Sequence, residues 1–394
     1  MDTILFLPLV IVAVILVLLG YKEKEKNDKN VNSIPIRINV NGIRGKSTAT
    51  RLITSILNEA GYKTMGKTTG TAARKIFPYR HEELSIDRKP QGANIKEQVE
   101  TVKEAAKFDV DALVCECMAV KPEYQQIYQH EMFRSNIYVI VNVLEDHLDQ
   151  MGPTTTEVAY TFAKSIPYNG YLVTVPSPYT DYFQRIADER NTQMILADNS
   201  EIKPGYLDKF DYVLFPDNVS LALAVAKAIG ISDEVAYRGM LQGQPDPGAL
   251  KVKHIKNSKV DFTFVNAFAA NEPASSLNIW EYIKESPDIP SDDPIVLFNG
   301  RSDRGDRTEL FAREFFPKIE NATIISMGQA IRRIGYYYGK GFYPNAKKYI
   351  DRENVKPVDL MREIMPMLNG RVLLTVGNIH GDAEELLDII KELM

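Results

Sequence analysis

A short segment near residue 45 contains residue types that bind phosphate. Apolar residues alternate with others from Ile34 to Val40 and predict a strand, and apolar residues at helical spacing follow from Ala49 to Ala60. Between them the chain reads Asn41-Gly42-Ile43-Arg44-Gly45-Lys46-Ser47-Thr48. A glycine-rich turn that opens a helix offers N–H groups and a partial positive charge to an anion. The lysine can reach terminal phosphates and the serine can ligate Mg²⁺, so this loop predicts a nucleotide site.

The loop is shorter than the general phosphate-binding pattern, which requires a glycine at position 40. The chain has Val40 there and places its glycine at position 42. A plain strand-turn-helix corner with an exposed lysine is the alternative interpretation.

Two further segments have the chemistry of metal ligands. Glu116 is the only charged residue in the apolar run 112–119, and a buried carboxylate needs a partner, either Mg²⁺ or a basic side chain. A later predicted strand runs into Glu145-Asp146-His147-Leu148-Asp149. Acidic groups and an imidazole at the carboxyl edge of a parallel sheet lie where such folds bind ligands, although a surface acidic turn would look similar.

Strands and helices alternate along the chain after residue 33. Strands are predicted at 111–118, 136–143, 171–175, 193–197, 212–215, 260–266, 294–300, 323–328 and 371–377. Helices are predicted at 95–106, 156–165, 179–190, 219–229 and 383–393. This order predicts an α/β fold with a mainly parallel, doubly wound sheet. Turn-forming residues at 242–248 place a domain boundary there, which gives domains 34–247 and 248–394.

The composition is that of an ordinary globular protein. The 394 residues contain 47 Lys and Arg against 52 Asp and Glu, a net charge of −5 without a long basic stripe, which argues against nucleic acid as a partner. Cys115 and Cys117, two apart on a predicted strand, are poorly placed to bridge each other. Buried, reduced thiols are expected instead.

The N-terminal segment predicts a membrane anchor. Residues 3–20 carry no charge, and Lys22, Lys24, Lys26 and Lys29 follow closely. Length and charge predict a single transmembrane helix at 1–20 with its N-terminus outside, a charged tether at 21–33, and catalytic domains in the cytoplasm. A cleaved signal peptide is the alternative, but its basic leading region and small-residue cleavage site are missing.

Taken in order, several motifs resemble those of the Mur ligases and folylpolyglutamate synthases. They are NGIRGKST (41–48), Glu116 at a strand end, NVLEDHLDQMG (142–152), PDNVSLALAVAKAIG (216–230), AFAANEPAS (267–275), NGRSDRGDRT (299–308) and VGNIHG (376–381). The resemblance covers residues 34–394. It implies a Mur-ligase-like P-loop ATPase domain followed by a smaller, Rossmann-like ligase domain.

That resemblance also implies a reaction and a set of residues. ATP would phosphorylate a substrate carboxylate, and an amine would attack the acyl-phosphate to give an amide, ADP and phosphate. The implied catalytic residues are Lys46, Glu116, His147 and Arg301, and the implied Mg²⁺ ligands are Ser47, Glu116 and His147, with room for a second ion and with Mn²⁺ as a substitute. The implied nucleotide contacts are Asn41, Gly42, Ile43, Arg44, Gly45, Lys46, Ser47, Thr48, Asn218, Asp303, Arg304 and His380.

An anchor leading directly into the P-loop domain is most similar to the capsule-forming branch of this family, which makes poly-γ-glutamate. That branch implies glutamate or polyglutamate as substrate, with a polytopic and an anchored membrane subunit as partners. The oligomeric state stays open.

Some positions depart from the family pattern. The predicted anchor and tether are expected to leave no room for the N-terminal domain that binds a UDP-sugar carrier in the Mur enzymes, and Asp306 and Asn378 stand where the family has lysines. Lys164 lies about three residues beyond the position of the carbamylated lysine in several Mur ligases. Two other functions stay open, a ligase for another amino-acid polymer or a cofactor, and a membrane-anchored P-loop tyrosine kinase modified at Tyr336, Tyr337 and Tyr338.

Overall fold

The chain folds into two compact α/β units. A computed structural model describes residues 3–69, 73–77, 83–86, 96–145, 148–210, 212–246, 249–268, 270 and 272–393, without the side chains of residues 3–7, 9, 148 and 149. Unit 1 comprises residues 1–209 and 214–246, and unit 2 comprises 210–213 and 247–394.

Unit 1 is built on a sheet whose strands, among the described residues, number eight. Their order is β4-β3-β2-β5-β1-β6-β7-β8, parallel except at the β2–β3 and β3–β4 pairs. The elements are α1 Thr3–Asn32, β1 Ile36–Asn41, α2 Lys46–Glu59, β2 Thr64–Lys67, β3 Arg74–Ile76, β4 Leu84–Ser85, α3 Lys96–Lys107, β5 Ala112–Glu116, α4 Pro122–Ile127, β6 Ile137–Ile140, α5 Leu148–Met151, α6 Thr155–Ala163, β7 Tyr171–Thr174, α7 Thr180–Glu189, β8 Gln193–Leu196, α8 Pro216–Ala228 and α9 Asp233–Gln242.

The period of two along β5 decides which face each of its side chains meets. Leu113, Cys115 and Cys117 join the apolar cluster formed with α1 and α3. Glu116 faces the other way and reaches Ser47 on α2. Both cysteines are free and buried, as the sequence predicted, and burial raises the pKa of each thiol to about 11.

The first helix differs from the expected anchor and tether. Over the described residues, no helix combines the length and apolar character needed to cross a membrane, so the transmembrane anchor predicted at 1–20 is not supported. Of the tether predicted at 21–33, residues 21–32 continue α1 and pack on the rest of unit 1. Lys24 Nζ pairs with Glu131 Oε2 at 2.9 Å, Asn27 Nδ2 donates to the carbonyl of Met132, and Val31 is fully buried.

Unit 2 contains a second sheet, with strand order β13-β12-β11-β14-β10-β9 and only the β9–β10 pair antiparallel in the described part of the unit. Its elements are β9 Lys251–Lys256, β10 Asp261–Asn266, α10 Pro273–Glu285, β11 Ile295–Gly300, α11 Gly305–Leu310, β12 Thr323–Gly328, α12 Arg332–Gly339, β13 Lys348–Glu353, α13 Pro357–Ile364, β14 Val372–Gly377 and α14 Asp382–Glu392. One apolar cluster lies under α10 and α12, and the other under α13 and α14.

Two features of unit 2 bear on earlier expectations. The strand predicted at 212–215 does not form, and instead Val213 donates its N–H to the carbonyl of Leu250. The three tyrosines lie on α12, where Tyr337 donates to Glu309 at 2.6 Å and Tyr338 packs near Tyr349. Tyr336 contacts the ring of Tyr337 edge-on, so all three tyrosines have structural contacts, which is typical of packing.

Candidate active site

The predicted phosphate loop joins the carboxyl end of β1 to the first turn of α2. Gly42 has φ +127°, and a Cβ there would lie 3.0 Å from the backbone nitrogens of Val141 and Asn142 at the end of β6. Gly45 has φ +85° and directly precedes α2. Both backbone conformations disfavour any residue with a side chain, and the loop can pass this close to β6 only because position 42 is glycine.

Lys46 bends back over this loop. Its Nζ donates to the carbonyl oxygens of Gly42 at 2.9 Å and Ile43 at 3.0 Å. An ammonium has three N–H donors, and these bonds use two of them. The lysine charge therefore lies above the N-terminus of α2, where the helix dipole also favours an anion.

Ser47 and Glu116 form the second half of the site. Ser47 Oγ donates to Glu116 Oε2 at 2.8 Å, and the same oxygen accepts the N–H of Thr69 at 2.7 Å. Glu116 is 3% exposed, and Gln98 Nε2 donates to its backbone carbonyl at 3.1 Å. In the described part of the chain the carboxylate is thus held by a hydroxyl and an N–H rather than by Lys or Arg.

This pair of oxygen ligands suits a divalent cation. A hydroxyl and a carboxylate within 2.8 Å of each other are hard donors of the kind that Mg²⁺ binds alongside phosphate oxygens and water. No group of three or more His, Cys, Asp or Glu side chains arranged for a metal occurs in the residues that the structure covers. His147 and Asp146 lie outside those residues, so the predicted role of His147 stays a prediction.

Three asparagines lie around the loop, and the first of them, Asn41, has all of its hydrogen-bond partners within the protein. Asn41 Oδ1 accepts the Gly42 N–H at 2.8 Å, while its Nδ2 donates to Gln125 Oε1 and Tyr138 OH. Both of its donors are therefore used inside the protein, which fits support of the loop better than the predicted nucleotide contact.

The other two asparagines come from distant parts of the sequence. Asn142, inside a recognised motif but without a predicted role, contacts the backbone of Ile43 and Arg44. Asn218, at the start of α8, is 5% exposed, and its Oδ1 has no hydrogen-bond partner. That oxygen lies 2.6 Å from where a Cβ of Gly45 would be. An unpartnered buried oxygen beside the loop is available to a ligand donor, as a nucleotide contact requires.

In unit 2 the helices after the neighbouring strands β11 and β14 cover opposite faces of the sheet, and in open α/β sheets the carboxyl ends of such strands border a crevice. Asn299 Nδ2 donates to the carbonyls of Asn378 at 2.7 Å and His380 at 3.0 Å. Asn378 in turn accepts a hydrogen bond from Arg307. Burial and the nearby Arg304 lower the pKa of Arg307, so an anion entering here would relieve repulsion between the two cations.

The remaining predicted residues of unit 2 lie on the two loops that border this crevice. Arg301 pairs with Asp303 at 2.9 Å, and Arg304 lies 4.0 Å from the same carboxylate. His380 Nδ1 is 2.9 Å from Glu384 Oε1. The structure thus brings the loop at 301–307 and the turn at 378–381 together, while their contacts with nucleotide or substrate stay predictions.

Lys164 is exposed at the end of α6. Its carbonyl accepts from His130 and Arg190, and the chain then enters the amino end of β7. Parallel strands place that end at the edge opposite the loop, so a metal-ligand role for Lys164 is not supported.

A strand, phosphate loop and helix that carry a lysine and a serine–carboxylate pair, followed by a second α/β unit, define an ATP-dependent ligase of the Mur type. A family model of the Mur ligase middle domain matches residues 40–240, and one of the poly-gamma-glutamate synthase CapB C-terminal domain matches residues 252–393.

Solved structures agree on the fold. MurF from Acinetobacter baumannii is 14% identical at a TM-score of 0.60, covering 94% of this chain and 79% of that one. FolC from E. coli, in complex with ADP, gives the same identity and TM-score, with 94% and 92% coverage. A bifunctional folylpolyglutamate synthase/dihydrofolate synthase from Yersinia pestis, complexed with AMPPNP and a Mn ion, is 13% identical with a TM-score of 0.60, covering 94% and 93%.

Relatives with much higher sequence identity narrow the family further. The capsule biosynthesis protein CapB of Bacillus anthracis is 51% identical over 97% of this chain and 82% of its own length. The PGA synthase CapB of Bacillus subtilis (strain 168) is 50% identical over 98% and 97%. The chain therefore belongs to the CapB family of poly-gamma-glutamate synthases, and the resemblance inferred from its motifs is confirmed.

Proposed function

We propose that this ligase phosphorylates the carboxylate of a glutamate, or of a growing polyglutamate, and couples the acyl-phosphate to the amine of another glutamate. The observation that carries the proposal is the 2.8 Å contact between Ser47 Oγ and buried Glu116, beside Lys46 in the loop. This arrangement supports ATP and a divalent cation as requirements. Glutamate as the substrate is supported by the names of the CapB relatives.

ATP supplies the phosphoryl group, and the divalent cation neutralises charge on it. The residues of unit 1 do the positioning. The N–H groups at the start of α2 and the Lys46 ammonium attract the phosphates, while Ser47 and Glu116 hold the cation. Since phosphoryl transfer depends mostly on positioning and charge neutralisation, these groups supply most of what unit 1 must contribute.

Arg301, Arg304 and Arg307 are proposed to bind anionic groups at the crevice of unit 2. Arg307 is the best positioned of the three because Asn378 accepts its hydrogen bond. A guanidinium group can bind either a phosphate or a carboxylate of glutamate, because its planar N–H groups donate two parallel hydrogen bonds to a pair of oxygens.

The experiment compares wild type with Lys46→Ala and with Lys227→Ala, a control at a surface lysine paired with Glu201. Glutamate-dependent ADP release is measured with Mg²⁺-ATP, and hydroxylamine traps the acyl-phosphate as a hydroxamate. We expect the wild type and Lys227→Ala to form hydroxamate and Lys46→Ala to form none. Activity retained in Lys46→Ala would remove the loop from the mechanism, and ADP release with another amino acid but not glutamate would redirect the substrate.

We further propose that the apolar half of α1 attaches the enzyme to a membrane. Residues 10–20 are uncharged and exposed all around the helix, an apolar surface with no partner in the described part of the chain. Such an attachment would bring the enzyme to the polytopic and anchored membrane subunits that the family resemblance implies as partners. Flotation with lipid vesicles should recover the full chain and lose it when Val14, Leu16 and Leu18 become Asp, while an unchanged recovery would refute the attachment.

A further inference from the structure

Asn142 holds the first half of the phosphate loop through both ends of its side-chain amide. Its Oδ1 accepts the N–H of Ile43 at 3.1 Å and the N–H of Arg44 at 3.0 Å, and its Nδ2 donates to the carbonyl of Arg44 at 2.9 Å. Two successive N–H groups that converge on one oxygen form a concave backbone site that commonly binds anions. Here a neutral side chain from the end of β6 occupies it.

The close approach of the loop backbone to β6 supports this contact. A Cβ on Gly42 would lie 3.0 Å from the backbone nitrogen of Asn142, so the backbones are nearly in contact before any side chain is considered. The amide of Asn142 therefore spans a short, fixed gap, which favours well-formed hydrogen bonds.

We propose that Asn142 is a positioning residue that sets the loop for nucleotide and leaves the phosphate contacts to the N–H groups from Gly45 onward. The N–H groups of Ile43 and Arg44 already have an acceptor and do not point at a phosphate. Those at the start of α2 lack intrahelical acceptors and are oriented by the helix. The inference deepens the proposed function and rests on it for the identity of the ligand.

The chain offers a matched control at the other end of the same strand. Asn136, just before β6, also uses both ends of its amide on backbone groups, here at the start of β1. Its Oδ1 accepts the N–H of Arg37 at 2.9 Å, and its Nδ2 donates to the carbonyl of Pro35 at 2.8 Å. Both asparagines are half-buried, but Asn136 lies at the sheet edge opposite the phosphate loop.

The experiment compares alanine and aspartate variants at the two positions in the full chain. Equilibrium titration with a fluorescent ATP analogue and Mg²⁺ measures nucleotide affinity, and hydrogen exchange measures protection of the Ile43 and Arg44 amides. For Asn142→Ala we expect the dissociation constant to rise about tenfold and both amides to exchange faster, because the loop loses its acceptor. Asn142→Asp keeps an acceptor but adds a negative charge beside the phosphates, so its dissociation constant should rise by at least about a hundredfold.

The same substitutions at Asn136 should leave nucleotide affinity and the two amides unchanged. The inference is overturned if Asn142→Asp binds the analogue as well as Asn136→Asp does, or if the amides of Ile43 and Arg44 stay protected in Asn142→Ala. Should Asn142→Ala fail to fold, Asn142→Ser, whose shorter side chain cannot span both N–H groups, replaces it in the exchange measurement, and Asn142→Asp still tests the affinity. If the wild type itself does not bind the analogue, the proposed function fails, and the exchange data still decide whether Asn142 holds the loop.

Discussion

Alanine substitutions at the two ends of α2 separate backbone strain from damage to the phosphate loop. Gly45 precedes the helix at φ +85°, and Gly61 follows it at φ +90°. An L-residue in this left-handed region costs about 1–2 kcal/mol, so Gly45→Ala and Gly61→Ala should introduce a similar backbone strain. Their surroundings differ, because a Cβ on Gly61 would meet nothing within 4 Å.

At Gly45 the added Cβ would lie 2.6 Å from Asn218 Oδ1, whereas ordinary van der Waals contact begins at 3.4 Å. Either the loop or the asparagine must therefore move by the difference, 0.8 Å. Either response displaces a group of the proposed site, the loop backbone or the buried amide of Asn218. A displacement of this size lengthens hydrogen bonds to a phosphate beyond their useful range, and misplacement near 1 Å can reduce activity about a hundredfold.

The assay measures ATP-analogue affinity and thermal unfolding for wild type and both variants. We expect both to unfold at a lower temperature, Gly45→Ala at least as low as Gly61→Ala because of its additional overlap, while only Gly45→Ala loses nucleotide affinity and glutamate-dependent ADP release. The reasoning is refuted if Gly45→Ala binds the analogue like wild type. It is equally refuted if Gly61→Ala loses affinity to the same extent, since the effect would then follow from strain alone.

Three further experiments test other parts of unit 1. Glu116→Gln should raise the Mg²⁺ concentration needed for half-maximal ADP release by at least about tenfold, since a neutral amide binds the ion more weakly, and an unchanged Mg²⁺ titration would contradict this role. Arg51→Ala removes the buried partner of Glu83 and should lower the free energy of unfolding, measured in urea, by about 3–5 kcal/mol. The exposed Arg238→Ala should lower it by less than about 1 kcal/mol. Equal losses would contradict a stabilising role for the buried Arg51–Glu83 pair. The thiols of Cys115 and Cys117, whose pKa is raised from 9.0 to about 11, should resist a thiol reagent at pH 8 until the chain unfolds. The free energy of unfolding should fall as pH rises from 9.0 to about 11, because only the thiols of the unfolded chain ionise there. Fast labelling of the native protein would refute this.

The sequence predicted the central strands because burial leaves a strong pattern in them. The strands β5, β10, β11 and β14 are buried nearly throughout, and each falls inside a predicted apolar run. The edge strands β9 and β13 were missed, since Lys251–Lys256 and Lys348–Glu353 are rich in charged residues and only partly buried. Charge on an edge strand protects an open sheet edge and hides the strand from a hydrophobicity pattern.

For the site, local chemistry could be predicted and long-range support could not. The segment around Lys46 could be predicted because its strand, turn and helix are contiguous in the sequence. Glu116 could be predicted because it interrupts an apolar run. The contacts of Asn142 and Asn218 with the loop depend on strand order and on the start of α8. An asparagine after a strand is also a common turn residue, so its type alone carries no signal for this role.

The use of asparagine around the loop suits the negative charge that we propose the loop accepts. Asn41, Asn142 and Asn218 approach it from β1, from the end of β6 and from the start of α8. An amide can satisfy both N–H and carbonyl groups of the backbone and remains neutral. Aspartate in the same places would add negative charge beside the phosphates of ATP, and lysine or arginine would compete with Lys46 for them. For a loop that binds ATP as we propose, neutral support from Asn41 and Asn142 leaves the field at the N-terminus of α2 unopposed, whereas a carboxylate in their place would weaken its attraction for the phosphates.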